Sequence, residues 1–185
     1  MSGIRIRLLL EDDWDAVVEL EERAYRASGL AEGREALRSR HRVSPSTCFV
    51  LEHGGGFVGY LLALPYPLHR CPDLSLAEVR TDRESGRESN LHLHDVVIAE
   101  QARGRGLARR MLRHLEETGR AGGYRTLSLV AVQGSRALWA ELGYRARPET
   151  VLPASYGAEA VYMSKPVEAA VTDPALAPSS AAEAG

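Results

Sequence analysis

Only two cysteines, Cys48 and Cys71, occur in the 185 residues. Two are too few for a disulfide framework, and no Cys or His falls at a metal-finger spacing, so no metal centre is expected. Cys48 sits in an apolar run and reads as a buried thiol, whereas Cys71 sits in a polar loop. Long apolar runs are absent as well. Arg5 and Arg7 lead straight into Glu11-Asp12-Asp13, with no apolar stretch of signal-peptide or transmembrane length. The expectation is therefore a reduced, cytoplasmic setting and no membrane partner. Excess charge of one sign is missing too: the net charge is −2, which gives no global attraction for nucleic acid. No internal repeat occurs.

What remains is ordinary globular usage, 44% hydrophobic and 26% charged, in a length that suits one domain. Residues 1–165 carry patterned elements. From Pro166 onward the chain is Ala, Pro, Ser and Glu, which predicts a disordered tail over 166–185. Alternation predicts strands over 4–9, 47–52, 57–64, 91–98 and 125–132, with closing strands over 144–147 and 158–163. His53-Gly54-Gly55-Gly56 reads as a hairpin turn. Helical stripes begin after Asp12 or Asp13 (Trp14, Val17, Val18, Ala24, Tyr25), and run over 33–42, 104–119 and 135–142. Residues 69–89 form a long polar connection, which marks either function or mobility. The order β-α-α-β-β-β-α-β-α-β-β predicts a mixed α/β (α+β type) sheet of six to seven strands flanked by about four helices, not a doubly wound one.

One local cluster stands out. The strand ending at Ile98 runs into Arg103-Gly104-Arg105-Gly106, which opens a helix. First-turn N–H groups lack intrahelical partners and carry partial positive charge. Glycines let a phosphate approach the backbone without meeting a Cβ, and Arg103, Arg105, Arg109 and Arg110 add formal charge. A Walker loop is excluded because no Gly-Lys-Ser/Thr follows. A dinucleotide fold would place its glycine turn after an early strand, not mid-chain.

Val96-Val97-Ile98 followed by Gln101-Ala102-Arg103-Gly104-Arg105-Gly106-Leu107-Ala108 resembles motif A of the GNAT superfamily of N-acetyltransferases. Leu138-Trp139-Ala140-Glu141-Leu142-Gly143-Tyr144 is similar to the family's second signature, and the element order matches over roughly residues 4–165. The resemblance implies acetyl-CoA as cosubstrate, lying in a V-shaped opening between strands 91–98 and 125–132. Its pantetheine would pair with Val96, Val97 and Ile98. Its pyrophosphate would rest on Arg103, Gly104, Arg105, Gly106, Leu107 and Ala108, with Arg109 nearby. The backbone near Val97 would hold the oxyanion. Leu91-His92-Leu93-His94, Glu21-Glu22-Arg23-Ala24-Tyr25 and the 59–66 strand resemble the serotonin (arylalkylamine) branch. Homodimers are common in the family.

Acetyl transfer to an amine needs a proton acceptor, because a free alkyl amine has a pKa of about 10.4. His92 and His94 are two apart on a strand, share one face and titrate in the right range. In the resembled branch these positions pass the proton outward. A metal site at this pair lacks a third ligand. Asp95 points to the opposite face unless a bulge intervenes. For the leaving thiolate the family often uses a tyrosine where this chain has Trp139, whose indole is not an acid. Tyr156 is the candidate replacement, ahead of Tyr144. Tyr25 and Tyr66, with Trp139 at the thioester, would line the substrate pocket. The implied reaction is direct transfer to a primary amine of a small molecule. The alternatives are a protein lysine or N-terminus as acceptor, and CoA binding without catalysis.

Overall fold

The computed structural model describes residues 3–79 and 89–168. Its elements are β1 (Ile4–Leu8), α1 (Trp14–Tyr25), α2 (Arg34–Val43), β2 (Phe49–His53), β3 (Gly56–Pro65), β4 (Asn90–Ile98), α3 (Leu107–Ala121), β5 (Thr126–Ala131), α4 (Arg136–Glu141), β6 (Arg145–Ala146) and β7 (Val161–Pro166). The seven strands form one sheet in the order β1-β2-β3-β4-β5-β7-β6. Every neighbouring pair is antiparallel except β4 and β5, which run parallel across the α3 crossover.

Strand alternation distributes the apolar side chains between two layers. Leu61, Ala63, Leu91, Leu93, Leu127 and Leu129 face α3 and pack on Met111 and Leu115. Val50, Tyr60, Leu62 and Val97 face the other way and pack on Trp14, Val17 and Leu37 of α1 and α2. The two helical layers thus cover both faces of the centre of the sheet.

Two features of β4 set up the site. Its pairing with β5 covers Asn90–Leu93 against Thr126–Leu129 and then stops, although β4 continues to Ile98. The strands splay from that point. Among the described residues, the β5-facing edge of β4 has no strand partner from His94 to Ile98. On the other edge, Leu62 lies opposite Asp95 and Ala63 opposite Leu93, so His94 is an extra, bulged residue.

The sequence order is observed in full, while several boundaries differ. The last strand starts at Val161, so residues 158–160 precede it. The expected tail boundary at Pro166 is too early. Pro166 pairs with Thr126, the Val167 amide donates to the Arg125 carbonyl at 2.8 Å, and Arg120 Nε donates to the Glu168 carbonyl at 2.7 Å. The rest of that stretch, 169–185, lies outside the described residues, as do residues 80–88 of the long connection. Cys71 is buried against Tyr156 and Tyr162, not in a solvated loop.

Candidate active site

A cleft of about 530 Å³ passes through the sheet at the splay between β4 and β5. One end opens beside α3 and α4, and the other lies under α1 and its connection to α2.

At the α3 end the walls are Val96, Ile98, Arg103, Ala108, Arg109, Leu112, Leu138, Trp139 and Leu142. Gly104 and Gly106 adopt φ of 75° and 71°. A Cβ on either would meet nothing within 4 Å, so the turn leaves open space above its backbone. Arg103 donates from Nε to the Ile98 carbonyl at 3.1 Å, which ties the turn to the end of β4. Arg105 and Arg110 are exposed beside it, and Leu107 is turned into the core. Trp139 spends its indole N–H on Ser135 Oγ at 3.2 Å and packs edge-on against Tyr144. It is a wall, with no proton to give.

At the α1 end the bulge decides what faces the cleft. Leu93 points toward α3, and the extra residue then puts His94 and Asp95 both on the α1 side. A regular strand would have separated them. Tyr25 Oη donates to Asp95 Oδ1 at 2.7 Å, and Tyr60 Oη donates to Oδ2. Burial pushes Asp95 above the usual carboxylate range, and the two hydroxyls oppose that rise. His94 Nε2 lies 2.5 Å from Glu32 Oε1, and Arg40 donates to Glu32 Oε2 at 2.9 Å. Burial raises Glu32, but His94 and Arg40 outweigh it and hold the carboxyl below its ordinary value. A carboxylate only accepts, so Nε2 carries a hydrogen, and Nδ1 is buried without a partner among the described residues.

Glu21 completes this end. It follows Trp14 and Val17 on the buried stripe of α1 and is 1% exposed. Its Oε1 accepts the Glu32 amide N–H at 2.6 Å, and its Oε2 has no partner among the described residues. Burial, then repulsion from Asp95 and Glu32, pushes its carboxyl up to about 7 against that amide bond. Leu30, Leu74 and Ala24 supply apolar wall.

Several sequence-predicted residues are placed elsewhere. His92 does not line the cleft. It sits 2.9 Å from Ser128 Oγ and stacks on Tyr162, and burial drives its imidazole down to about 3. That ring is neutral and sealed at working pH. Tyr66 also lies outside, with its hydroxyl on Glu78 at 3.3 Å. Tyr156 lines the cleft with its ring, but its hydroxyl donates to the Pro72 carbonyl at 2.9 Å, and burial raises its pKa far above the ordinary tyrosine value. In that geometry it anchors the 72–74 segment and is no acid. Val96, Val97, Ile98, Arg103, Ala108, Arg109, Tyr25, Trp139 and His94 do come together at the cleft. Glu21 and Glu32 were not singled out from sequence. Glu21 had a signal, an acid in register with the apolar stripe 14, 17, 24–25. Glu32 had none.

A mixed sheet splayed between two parallel strands, with a glycine turn at one mouth, is the architecture of the GNAT fold. The sequence matches the acetyltransferase (GNAT) family over residues 14–144, and the chain belongs to that family. Comparison with curated proteins finds no match. Among solved structures, Ard1 from Thermoplasma volcanium superposes with a TM-score of 0.67 at 13% identity, covering 89% of this chain and 98% of that one. N-acetylglutamate synthase from Neisseria gonorrhoeae, complexed with coenzyme A and N-acetyl-glutamate, gives 0.68 at 19%, covering 91% of this chain and 36% of that one. The GNAT-like decarboxylase GphF in complex with isobutyryl-CoA gives 0.68 at 21%, covering 89% and 100%. These likenesses establish the fold.

Proposed function

We propose that the protein transfers acetyl from acetyl-CoA directly to the primary amine of a small molecule, in the reducing interior of a cell. The observation that carries this reading is the cleft itself, which joins a cationic, glycine-lined mouth to a buried acidic chamber through the opening between β4 and β5.

The residues at the α3 end fit the donor. The unpaired edge of β4 from His94 to Ile98 offers backbone groups to an extended amide-bearing chain, as an added strand would. Gly104 and Gly106 leave room for a diphosphate against the start of α3, and Arg103, Arg105 and Arg109 supply charge. When bound there, acetyl-CoA supplies the activated acetyl group. The backbone near Val97 is the candidate oxyanion donor.

At the α1 end the chain's own groups bind the amine and move its proton. The carboxylates favour an ammonium over a neutral or anionic acceptor. Of the two histidines, His94 is the one we assign as proton acceptor: it lines the cleft, Glu32 holds its Nε2, and its Nδ1 has no partner among the described residues. Tyr25 and Tyr156 wall the chamber. Both cysteines are free, and neither lines the cleft, which suits a transfer without a covalent acyl-enzyme.

The test is acetyl-CoA binding by calorimetry, together with coenzyme A release across a panel of arylalkylamines, polyamines and peptide amines. Turnover with small amines is expected. Turnover with peptides alone would move the acceptor to proteins, and binding without turnover would refute catalysis.

A further inference from the structure

The chamber under α1 contains three acids from three elements: Glu21 from α1, Glu32 from the α1–α2 connection and Asp95 from β4. Two of them are already met. Glu32 receives Arg40 and His94, and Asp95 receives Tyr25 and Tyr60. Glu21 differs. Its Oε2 is buried, has no partner among the described residues and belongs to a side chain on the cleft wall. An unmet buried acceptor of this kind can take a donor brought by a ligand.

Among the described residues, no arginine or lysine lines the chamber. Arg40 lies behind the wall at 0% exposure, where its terminal nitrogens hold Glu32, Glu78 and the Asp73 carbonyl and its Nε has no partner. Arg103 and Arg109 stand at the opposite mouth, beside α3.

We infer that Glu21 selects the acceptor: its Oε2 seats the incoming ammonium, and the chamber thereby takes amines without a carboxylate beside the nitrogen and rejects α-amino acids. An α-carboxylate would lie among Glu21, Glu32 and Asp95 with no arginine or lysine to meet it, and like charges in a buried site are strongly disfavoured. Ala24, Leu30 and Leu74 give the remainder of such an amine an apolar wall. This inference rests on the acetyltransferase reading above and narrows its acceptor.

The seat is pH-dependent. Glu21 is faced by Glu22 and Tyr25 of α1, Glu32 with Arg40 of α2 behind it, Tyr60 of β3, and His94 and Asp95 of β4. Burial and the neighbouring acids raise it to about 7. Below that pH it gains a proton and loses its hold on a cation, whereas an alkyl amine stays charged up to a pKa of about 10.

The test uses the full chain with acetyl-CoA and the matched pair phenethylamine and phenylalanine. The wild type should prefer phenethylamine by about a hundredfold or more in kcat/KM. E21Q should raise the phenethylamine KM by about tenfold or more, narrow that preference, and flatten the rise in KM between about pH 8 and about pH 6. Its KM for acetyl-CoA should not move, which reports an intact fold. E19Q, at an exposed acid on the same helix outside the cleft, should leave all these values as in the wild type. Equal use of the two acceptors by the wild type, or an E21Q enzyme with unchanged KM and preference, overturns the inference. Should no amine support turnover, the acetyltransferase reading fails by itself. Calorimetric affinity of phenethylamine for the wild type and E21Q then decides the seat separately: a tenfold loss in E21Q supports it, and equal affinity refutes it.

Discussion

His94 Nε2 and Glu32 Oε1 are 2.5 Å apart across a buried contact that joins a bulge in β4 to the α1–α2 connection. The contact fixes which imidazole nitrogen is free, and Arg40 fixes the carboxylate from behind at 2.9 Å. Replacing His94 with Asn should therefore lower kcat by about a hundredfold while KM for acetyl-CoA stays put. The loss should be greatest at low pH, where more of the amine is protonated. Steady-state kinetics across pH checks this, and a uniform loss would point to a structural role.

His92 behaves oppositely. Its folded pKa is depressed to about 3, below an unfolded value of about 6.5. Between those values the unfolded chain binds the extra proton, so stability is present above about pH 6.5 and declines as pH falls through that window, by up to about 1.4 kcal/mol per unit. Denaturant melts of the wild type and His92→Asn should show this component in the former and its loss in the latter. The shape of the pH–rate profile should survive the substitution.

Gly106→Val should weaken acetyl-CoA binding by about tenfold or more. The φ of 71° is costly for a residue with a Cβ, about 1–2 kcal/mol, and the added methyls occupy the open space above the turn. Thermal melting should still be cooperative. Unchanged affinity by calorimetry would remove the phosphate site from the account.

The thiols should be inert. Burial pushes Cys48 up to about 12 and Cys71 up to about 11, so neither is a thiolate at neutral pH. Alkylation by iodoacetamide should track unfolding, and a Cys71→Ser variant should retain kcat. Rapid labelling of the native protein, blocked by acetyl-CoA, would instead indicate a cysteine at the site.

Element order and the glycine turn were legible in the chain because both rest on local chemistry: alternation, helical stripes, and residues that tolerate positive φ. The acidic chamber was only half legible. His92 and His94 look equivalent as a His-x-His pair, but the end of β5 pairing at Leu93 seals one beside Ser128 and leaves the other at the splay. Strand parity puts Asp95 on the far face unless a bulge intervenes, and a single bulged residue does intervene. Glu32 and Arg40 meet only through tertiary packing, which no local pattern encodes.

The central claim is tested most directly by incubating the purified protein with acetyl-CoA and phenethylamine and following the products by mass spectrometry. The account predicts phenethylamine heavier by one acetyl group, formed mole for mole with free coenzyme A and with no acetylated protein accumulating. Coenzyme A release with no N-acetylated amine, or a stable acetyl group on the protein itself, would contradict it.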